Sequence, residues 1–281
     1  MRIVSLLPST TEILFAIGAG DDVVGVTFEC DYPAEARSRT IVSTSAMPEG
    51  MAPAEIDAFV VAAMSRGEDL YHLDEGALAG LDADLVVTQD LCAVCAVDVS
   101  VVDDALAHLG CTAEVLTIDP HTLAEVLDSI EVLGRATGNE AAAAGVVADQ
   151  RNRLAAVADR VAGRPRPRVM FLEWTEPPFA PGHWIPEMIE LAGGVPLLAS
   201  PGEKSRRVTW GAIRAAEPDV FVVAPCGFDR DGCRGLADEL AESGVLPVGV
   251  PVHAVDANAS WARPGTRLAD GVEELARLLH P

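Results

Sequence analysis

The chain has 281 residues and a formal charge of −23, with 20 Lys and Arg residues against 43 Asp and Glu residues. At ~150 residues per domain this length allows two domains or one large one. The strong negative charge argues against nucleic acid and anionic membranes as partners, because both would repel such a surface. Hydrophobic residues make up 49% of the chain and charged residues 22%, a balance that excludes a disordered protein.

The first residues show no targeting segment. The apolar run of residues 3–7 is ended by Pro8, whereas a secretory signal needs an apolar stretch of about 7–15 residues. No run of apolar residues is long enough to span a membrane, so no membrane insertion is expected. We therefore expect a cytoplasmic protein. A mature exported chain whose signal has been removed would look the same, and it would be periplasmic or extracellular.

Strands and helices alternate from the first residues onward. Residues 3–7 read as a buried strand, and the capping-box spacing of Ser9 and Glu12 predicts a helix that ends near Gly18. Apolar strands that alternate with helices are typical of parallel sheets covered on both faces. Later strands are predicted at residues 23–27, 85–88, 115–118, 169–172, 220–223 and 252–255.

The middle of the chain reads as helix. One helix is predicted at residues 122–137 and a second at 140–162, which would be ~34 Å long at 1.5 Å per residue. The expected fold class is α/β, with two Rossmann-like αβα lobes joined by this single long helix and a ligand cleft between the lobes. The predicted boundaries are residues 1–138 for the N-terminal lobe, 139–163 for the helix and 164–281 for the C-terminal lobe.

Four of the six cysteines directly follow predicted strands. Ligands of open α/β sheets bind at the carboxyl ends of strands, and clustered thiolates suit zinc or an iron–sulfur cluster. Two of the four form a C-x-x-C pair, a spacing also found in redox pairs. The alternative interpretation is that the cysteines are small buried side chains. The candidate metal ligands are Cys30, Cys92, Cys95 and Cys226, although no cofactor is required by the sequence.

Aromatic residues are scarce, at 5% of the chain, yet several lie in Pro-rich stretches after strands. Rigid rings in such loops favour a site for a flat ligand. The alternative is that they tie the loops to the core. The candidate ligand-binding residues comprise six aromatic and four polar residues. The aromatic ones are Tyr32, Trp174, Phe179, Trp184, Phe228 and Trp261, and the polar ones are Thr10, His183, Asp256 and Arg263.

Enzyme motifs are missing from the sequence. It contains no G-x-S-x-G, no P-loop, no H-E-x-x-H and no G-x-G-x-x-G after a strand. We therefore expect a non-catalytic binding protein.

Several motifs occur in an order that resembles one family, the helical-backbone (class III) substrate-binding proteins of ABC importers, and within it the cobalamin-binding proteins. The matching stretches are residues 2–14, Asp31-Tyr32-Pro33, residues 83–87, Pro177-Pro178-Phe179, residues 191–194, Val208-Thr209-Trp210 and residues 261–267. The resemblance runs over nearly the whole chain. It implies two α/β lobes, one spanning helix and a corrinoid, haem or iron-chelate ligand, with cobalamin as the expected example. It also implies that Tyr32 and the loop around Trp261 touch the ligand.

The chain departs from the family pattern at the positions that would dock to a permease. The family uses a surface glutamate on each lobe, whereas Ala262 and Gly76 stand at the matching positions, with Glu75 next to Gly76. This difference argues against docking to an ABC permease. Two alternatives to a cytoplasmic corrinoid-binding relative stay open. One is a cysteine-ligated metal or iron–sulfur redox protein on the same fold, and the other is an exported importer component.

Overall fold

The computed structural model describes residues 1–48, 50–68, 70–89, 102, 106 and 112–281. It divides into two compact units. Unit 1 comprises residues 1–120 and 128–147, and unit 2 comprises residues 121–127 and 148–281. The division falls inside the long helix rather than at its ends. Both units contain a parallel sheet with helices, which confirms the predicted α/β class.

Unit 1 is built on a five-stranded parallel sheet. Its strand order is β3-β2-β1-β6-β7, so the first strand of the chain lies in the middle of the sheet, between β2 and β6. All three residues of β1 are buried, as expected for a strand covered on both faces. A two-stranded antiparallel sheet, β4-β5, is added to it. The strands are β1 (Ile3–Ser5), β2 (Val23–Val26), β3 (Thr40–Ile41), β4 (Ser43–Ser45), β5 (Tyr71–Leu73), β6 (Leu85–Thr88) and β7 (Glu114–Thr117).

The helices that the described residues form up to residue 161 include two for which the sequence analysis gave no bounds. They are α1 (Pro8–Ala16), α2 (Pro53–Arg66), α3 (Glu75–Ala79), α4 (Leu123–Thr137) and α5 (Glu140–Val161), of which α2 and α3 are the additional ones. Both α4 and α5 agree with the prediction to within one residue at each end. Gly138 follows α4 with a φ of +71°, the left-handed conformation in which glycine ends many helices.

The predicted capping box at Ser9 is wrong. Helix α1 begins at Pro8, its N-cap residue is Leu7, and no side chain caps it. Proline is favoured at the first helical position because the N–H it lacks has no intrahelical acceptor there. Ser9 therefore lies inside the helix, where it is buried.

Unit 2 contains a four-stranded parallel sheet and a small antiparallel one. The parallel sheet has the order β11-β8-β13-β14, and the antiparallel sheet has the order β12-β10-β9. The strands are β8 (Arg168–Leu172), β9 (Trp174–Thr175), β10 (Pro178–Ala180), β11 (Val195–Pro196), β12 (Arg206–Arg207), β13 (Val220–Val223) and β14 (Val252–Ala254). The helices that follow α5 are α6 (Ile185–Leu191), α7 (Trp210–Ala215), α8 (Arg230–Glu242), α9 (Ala257–Ser260) and α10 (Leu268–Leu279).

An ion-pair cluster ties α5 to α10 within unit 2. Arg153 Nε donates to Glu273 Oε1 at 2.8 Å, and a second guanidinium nitrogen pairs with Asp270. The guanidinium lowers the pKa of the Glu273 carboxyl. One cation thus holds two carboxylates of the neighbouring helix, a geometry that fixes the rotation of α10 against α5.

In the parts of the chain that the structure describes, no helix combines the length and the apolar character needed to cross a membrane.

Candidate functional site

The sheet of unit 2 brings two loops together at its carboxyl edge. Strands β8 and β13 are neighbours in the middle of the sheet. The next strand to join the sheet after β8 is β11, at one edge, and the next after β13 is β14, at the other edge. Ligands of open α/β sheets bind at such a reversal of strand order. The loop after β8 starts with Glu173 and the loop after β13 carries Cys226, whose N–H donates to the Glu173 carbonyl at 3.3 Å.

The small antiparallel sheet places three side chains in one row beside these loops. Trp174 on β9 pairs with Phe179 on β10, and Phe179 pairs with Arg207 on β12. Directly paired residues project from the same face of a sheet, so indole, phenyl and guanidinium groups lie side by side. At ~4.8 Å between strands, the row is about 10 Å long. We call these three residues, with Phe228, the aromatic row.

Ring contacts hold the aromatic row together. The Arg207 guanidinium carbon lies 5.7 Å from the centre of the Phe179 ring, a cation–π geometry. Phe228 meets Trp174 edge-on, with ring centroids 6.0 Å apart. The Trp174 indole N–H donates to the Glu176 carbonyl at 3.1 Å, which fixes the ring orientation. All three rings are half-buried, so the row presents apolar area with a cation at one end.

Glu173 lies next to the aromatic row and has an unusual carboxyl group. It accepts a hydrogen bond from the Gly182 N–H at 3.3 Å and another from the Ser205 side chain. Burial raises its pKa to about 7, because the two hydrogen bonds only partly compensate the charged form for lost water. The carboxyl can therefore change its charge near neutral pH beside the rings.

This raised pKa predicts a pH-dependent stability. The native state holds a proton on Glu173 that the unfolded chain, with an ordinary carboxyl pKa of 4.5, releases. The contribution is therefore present at pH 5 and lost as pH rises through about 7. We expect the unfolding free energy of the wild type to fall by about 2 kcal/mol relative to Glu173→Gln between pH 5 and pH 8. Urea unfolding at both pH values measures it.

Glu176→Gln is the matched control for this experiment, since Glu176 is exposed three residues away. Its difference from the wild type should stay constant over the same range. A constant difference for Glu173→Gln as well would show that the Glu173 carboxyl is ionised throughout.

Two other candidate residues of unit 2, Trp184 and Trp261, lie inside it. Trp184 and Trp261 are 4% and 0% exposed, and the Trp184 indole N–H donates to the Trp261 carbonyl at 2.8 Å. The Trp261 ring packs against Phe171, with centroids 4.9 Å apart. Asp256 caps helix α9 through a 2.8 Å hydrogen bond from the Ala259 N–H, and Arg263 is half-buried. The structure therefore gathers Trp174, Phe179 and Phe228, while both buried tryptophans act as packing groups.

In unit 1, Thr10 and Tyr32 have opposite environments. Thr10 is fully buried, and its hydroxyl shares a 2.7 Å hydrogen bond with the Ser5 hydroxyl. Tyr32 is 48% exposed, in the loop that follows β2. Thr10 therefore fixes the turn between β1 and α1, whereas Tyr32 offers its ring to solvent.

The candidate cysteine ligands are spread over both units. Cys30 is buried in unit 1, where its sulfur lies 3.1 Å from the Thr11 hydroxyl, and Cys226 is exposed in unit 2. Cys92 and Cys95 lie outside the described residues. Within the residues that are described, no group of three or more His, Cys, Asp and Glu side chains is arranged to hold a metal ion. The cysteine metal site stays a prediction.

A cavity of about 570 Å³ lies elsewhere in unit 2, between the end of α5 and helix α6. Its walls combine apolar residues with two arginines and two glutamates, and none of the predicted site residues is among them. The lining includes Val161, Arg164, Arg166, Glu187, Glu190 and Leu191.

Comparison with known proteins identifies the family. The family described as periplasmic binding protein matches residues 3–243. A cobalamin-binding protein of Halobacterium salinarum is 30% identical, with 99% of this chain and 69% of the relative covered. An uncharacterized ABC transporter substrate-binding lipoprotein of Bacillus subtilis, YvrC, is 28% identical, with coverages of 100% and 80%. The chain belongs to the periplasmic binding protein family.

Solved structures agree with the fold. The periplasmic vitamin B12 binding protein BtuF of Vibrio cholerae superposes with a TM-score of 0.66 at 22% identity, covering 99% of this chain and 96% of the other. The periplasmic heme-binding protein RhuT of Roseiflexus sp. RS-1 superposes with a TM-score of 0.73 at 20% identity, with coverages of 100% and 98%. These likenesses confirm the predicted resemblance to class III binding proteins.

Family membership confirms the expected class of protein and does not support the expected location. The chain is a substrate-binding protein of the ABC importer type, as expected for a binding protein rather than an enzyme. A cytoplasmic location receives no support from the family, whose name and lipoprotein relative fit the periplasmic or extracellular alternative.

Proposed function

We propose that the chain binds a corrinoid or a closely related planar metal chelate. The observation that carries the proposal is the aromatic row, in which Trp174, Phe179 and Arg207 share one face of the small sheet. Flat macrocycles bury large apolar faces on rings of this kind. The relative of Halobacterium salinarum, named a cobalamin-binding protein, and the B12- and heme-binding structural neighbours support this ligand class.

Each member of the row has a role in this proposal. Trp174 and Phe179 stack on the macrocycle face, and Phe228 keeps the Trp174 ring in place through its edge contact. Arg207, at the exposed end of the row, contacts polar groups at the macrocycle edge. In unit 1, Tyr32 is exposed, and its role as a ligand-binding residue stays a prediction.

The proposal predicts a defined loss of affinity. Trp174→Ala and Phe179→Ala should each weaken cobalamin binding roughly 10- to 100-fold, because buried aromatic contacts carry most of the energy of such sites. The measurement is a titration followed by tryptophan fluorescence or isothermal calorimetry, with haemin and cobalamin as separate ligands. The expected wild-type result is saturable one-to-one binding of cobalamin.

Met64→Ala is the control, since Met64 is an exposed apolar side chain on α2 in unit 1. It should bind cobalamin like the wild type. Saturable binding of haemin with no response to cobalamin would show that the ligand is a porphyrin rather than a corrinoid. Equal affinity of the wild type and both row variants would show that the ligand binds elsewhere.

We also place the protein outside the cytoplasm, as the lipoprotein relative supports. Fractionation of cells that express the full gene would test this location. The expectation that the chain does not dock to an ABC permease stays a prediction. Of the two docking positions, Ala262 is half-buried and Gly76 is exposed, and the neighbouring Glu75 is exposed in the first turn of α3.

A further inference from the structure

The rings of two histidines of unit 2, His121 and His183, lie close together. His121 precedes α4, in the short stretch 121–127 that belongs to unit 2, and His183 precedes α6. Their ring centroids are 5.7 Å apart and the rings are inclined by 46°, so they are not stacked. An ion ~2.1 Å from one nitrogen of each ring would hold the two centroids about 5–6 Å apart.

The backbone at His183 is fixed from both sides. Its N–H donates to the Glu203 carbonyl at 2.6 Å, and its carbonyl accepts from the Gly202 N–H at 3.0 Å. Its φ is +53°, in the left-handed region that non-glycine residues rarely adopt. A residue held in such a conformation by its surroundings is a common feature of functional sites. The imidazole of His183 is therefore presented from a rigid support.

The backbone at His121 is fixed as well. The Glu125 carboxylate accepts hydrogen bonds from the His121 N–H at 2.6 Å and from the Thr122 N–H at 3.0 Å. The Glu187 carboxylate of α6 accepts from the Leu123 N–H at 2.7 Å. Two carboxylates thus lie within a few residues of the imidazole pair and make its surroundings attractive to a cation.

We propose that His121 and His183 form a binding site for a divalent transition-metal ion. Imidazole nitrogen suits zinc, nickel and copper, whereas calcium and magnesium prefer oxygen. Two imidazoles supply two coordination positions, so water or a polar group of a bound solute occupies the others, as in open metal sites. The ion would clamp stretch 121–127 onto the loop before α6. This inference is independent of the proposed corrinoid function.

Metal titration of the EDTA-treated protein tests the site, with Co²⁺ and Ni²⁺ as probes. The wild type should bind one equivalent whose Co²⁺ spectrum lacks the intense near-ultraviolet bands of thiolate ligation. His121→Gln and His183→Gln should each lower the affinity for this ion at least about 10-fold. Removing a residue that only supports a metal ligand already costs about 10-fold in affinity, and removing the ligand itself costs no less. His72→Gln, at an exposed position in unit 1, is the control and should bind normally.

Two further measurements keep the test independent of how the variants fold. Circular dichroism without metal must show the same fold for all variants. In the wild type alone, Ni²⁺ should slow the modification of both His121 and His183 by diethyl pyrocarbonate, read by mass spectrometry of the peptides. Unchanged modification rates, or a bound ion whose spectrum shows only thiolate ligation, would overturn the proposal.

Discussion

Trp261→Ala is expected to destabilise unit 2 by about 4 kcal/mol, in the range measured for large-to-small changes at buried aromatic positions. Trp261 is completely buried and packs against Phe171. Alanine would leave a cavity between that ring and helix α10, where the indole also contacts Gly271. Urea unfolding followed by circular dichroism measures the change.

Trp261→Phe separates packing from polarity at the same position. Among the described residues, no atom accepts a hydrogen bond from the Trp261 indole N–H, which is buried. Phenylalanine keeps a ring against Phe171 and removes this unsatisfied donor, so we expect a loss of only about 1–2 kcal/mol. A Trp261→Ala protein with wild-type stability and no affinity for cobalamin would instead assign the indole to the ligand.

Gly182→Ala is expected to destabilise the protein by about 3 kcal/mol. A Cβ atom at this position would lie 2.1 Å from the Ser205 nitrogen and 2.7 Å from the Glu203 carbonyl oxygen. These are backbone atoms, so the whole segment must move rather than one side chain. The shift would break the hydrogen bond between the Gly182 N–H and Glu173 and displace strand β12.

Gly235→Ala is the matched control, because no atom lies within 4 Å of a Cβ built at this position in α8. Alanine is the better helix former, so stability should rise by up to about 1 kcal/mol. Urea unfolding of both variants measures the two changes in unfolding free energy. If Gly182→Ala were as stable as the wild type, the close approach of residues 203–205 would not persist in solution.

The regular elements could be predicted because their signals are local. The apolar runs at residues 85–88 and 220–223 become β6 and β13 without change. The long helix keeps its predicted start at Glu140 and ends one residue early, at Val161. The error at Ser9 has a local cause too, since Pro8 occupies the first helical position and the helix therefore begins one residue before Ser9.

The candidate site was less predictable because it depends on distant pairing. Strands β9, β10 and β12 have two or three residues each, too few for a periodic pattern, yet their register aligns Trp174, Phe179 and Arg207. The sequence places Trp261 in a loop with the other rings but does not say which way it points, and packing turns it inward. Likewise, Gly182 is an ordinary loop glycine until residues 203–205 pack onto it.

The division of the chain into units also affects how the protein can be made and dissected. Residues 121–127 belong to unit 2 although they are translated before residues 128–147, which belong to unit 1. During synthesis, unit 1 is therefore incomplete until residue 147 has emerged. Residues 121–127 cannot pack into unit 2 until residues 148–281 have been translated. No single cut separates the two units cleanly, because a cut after residue 147 leaves residues 121–127 of unit 2 on the fragment that holds unit 1. Expression of unit 2 with all of its residues would need a permuted or spliced gene rather than a shortened one.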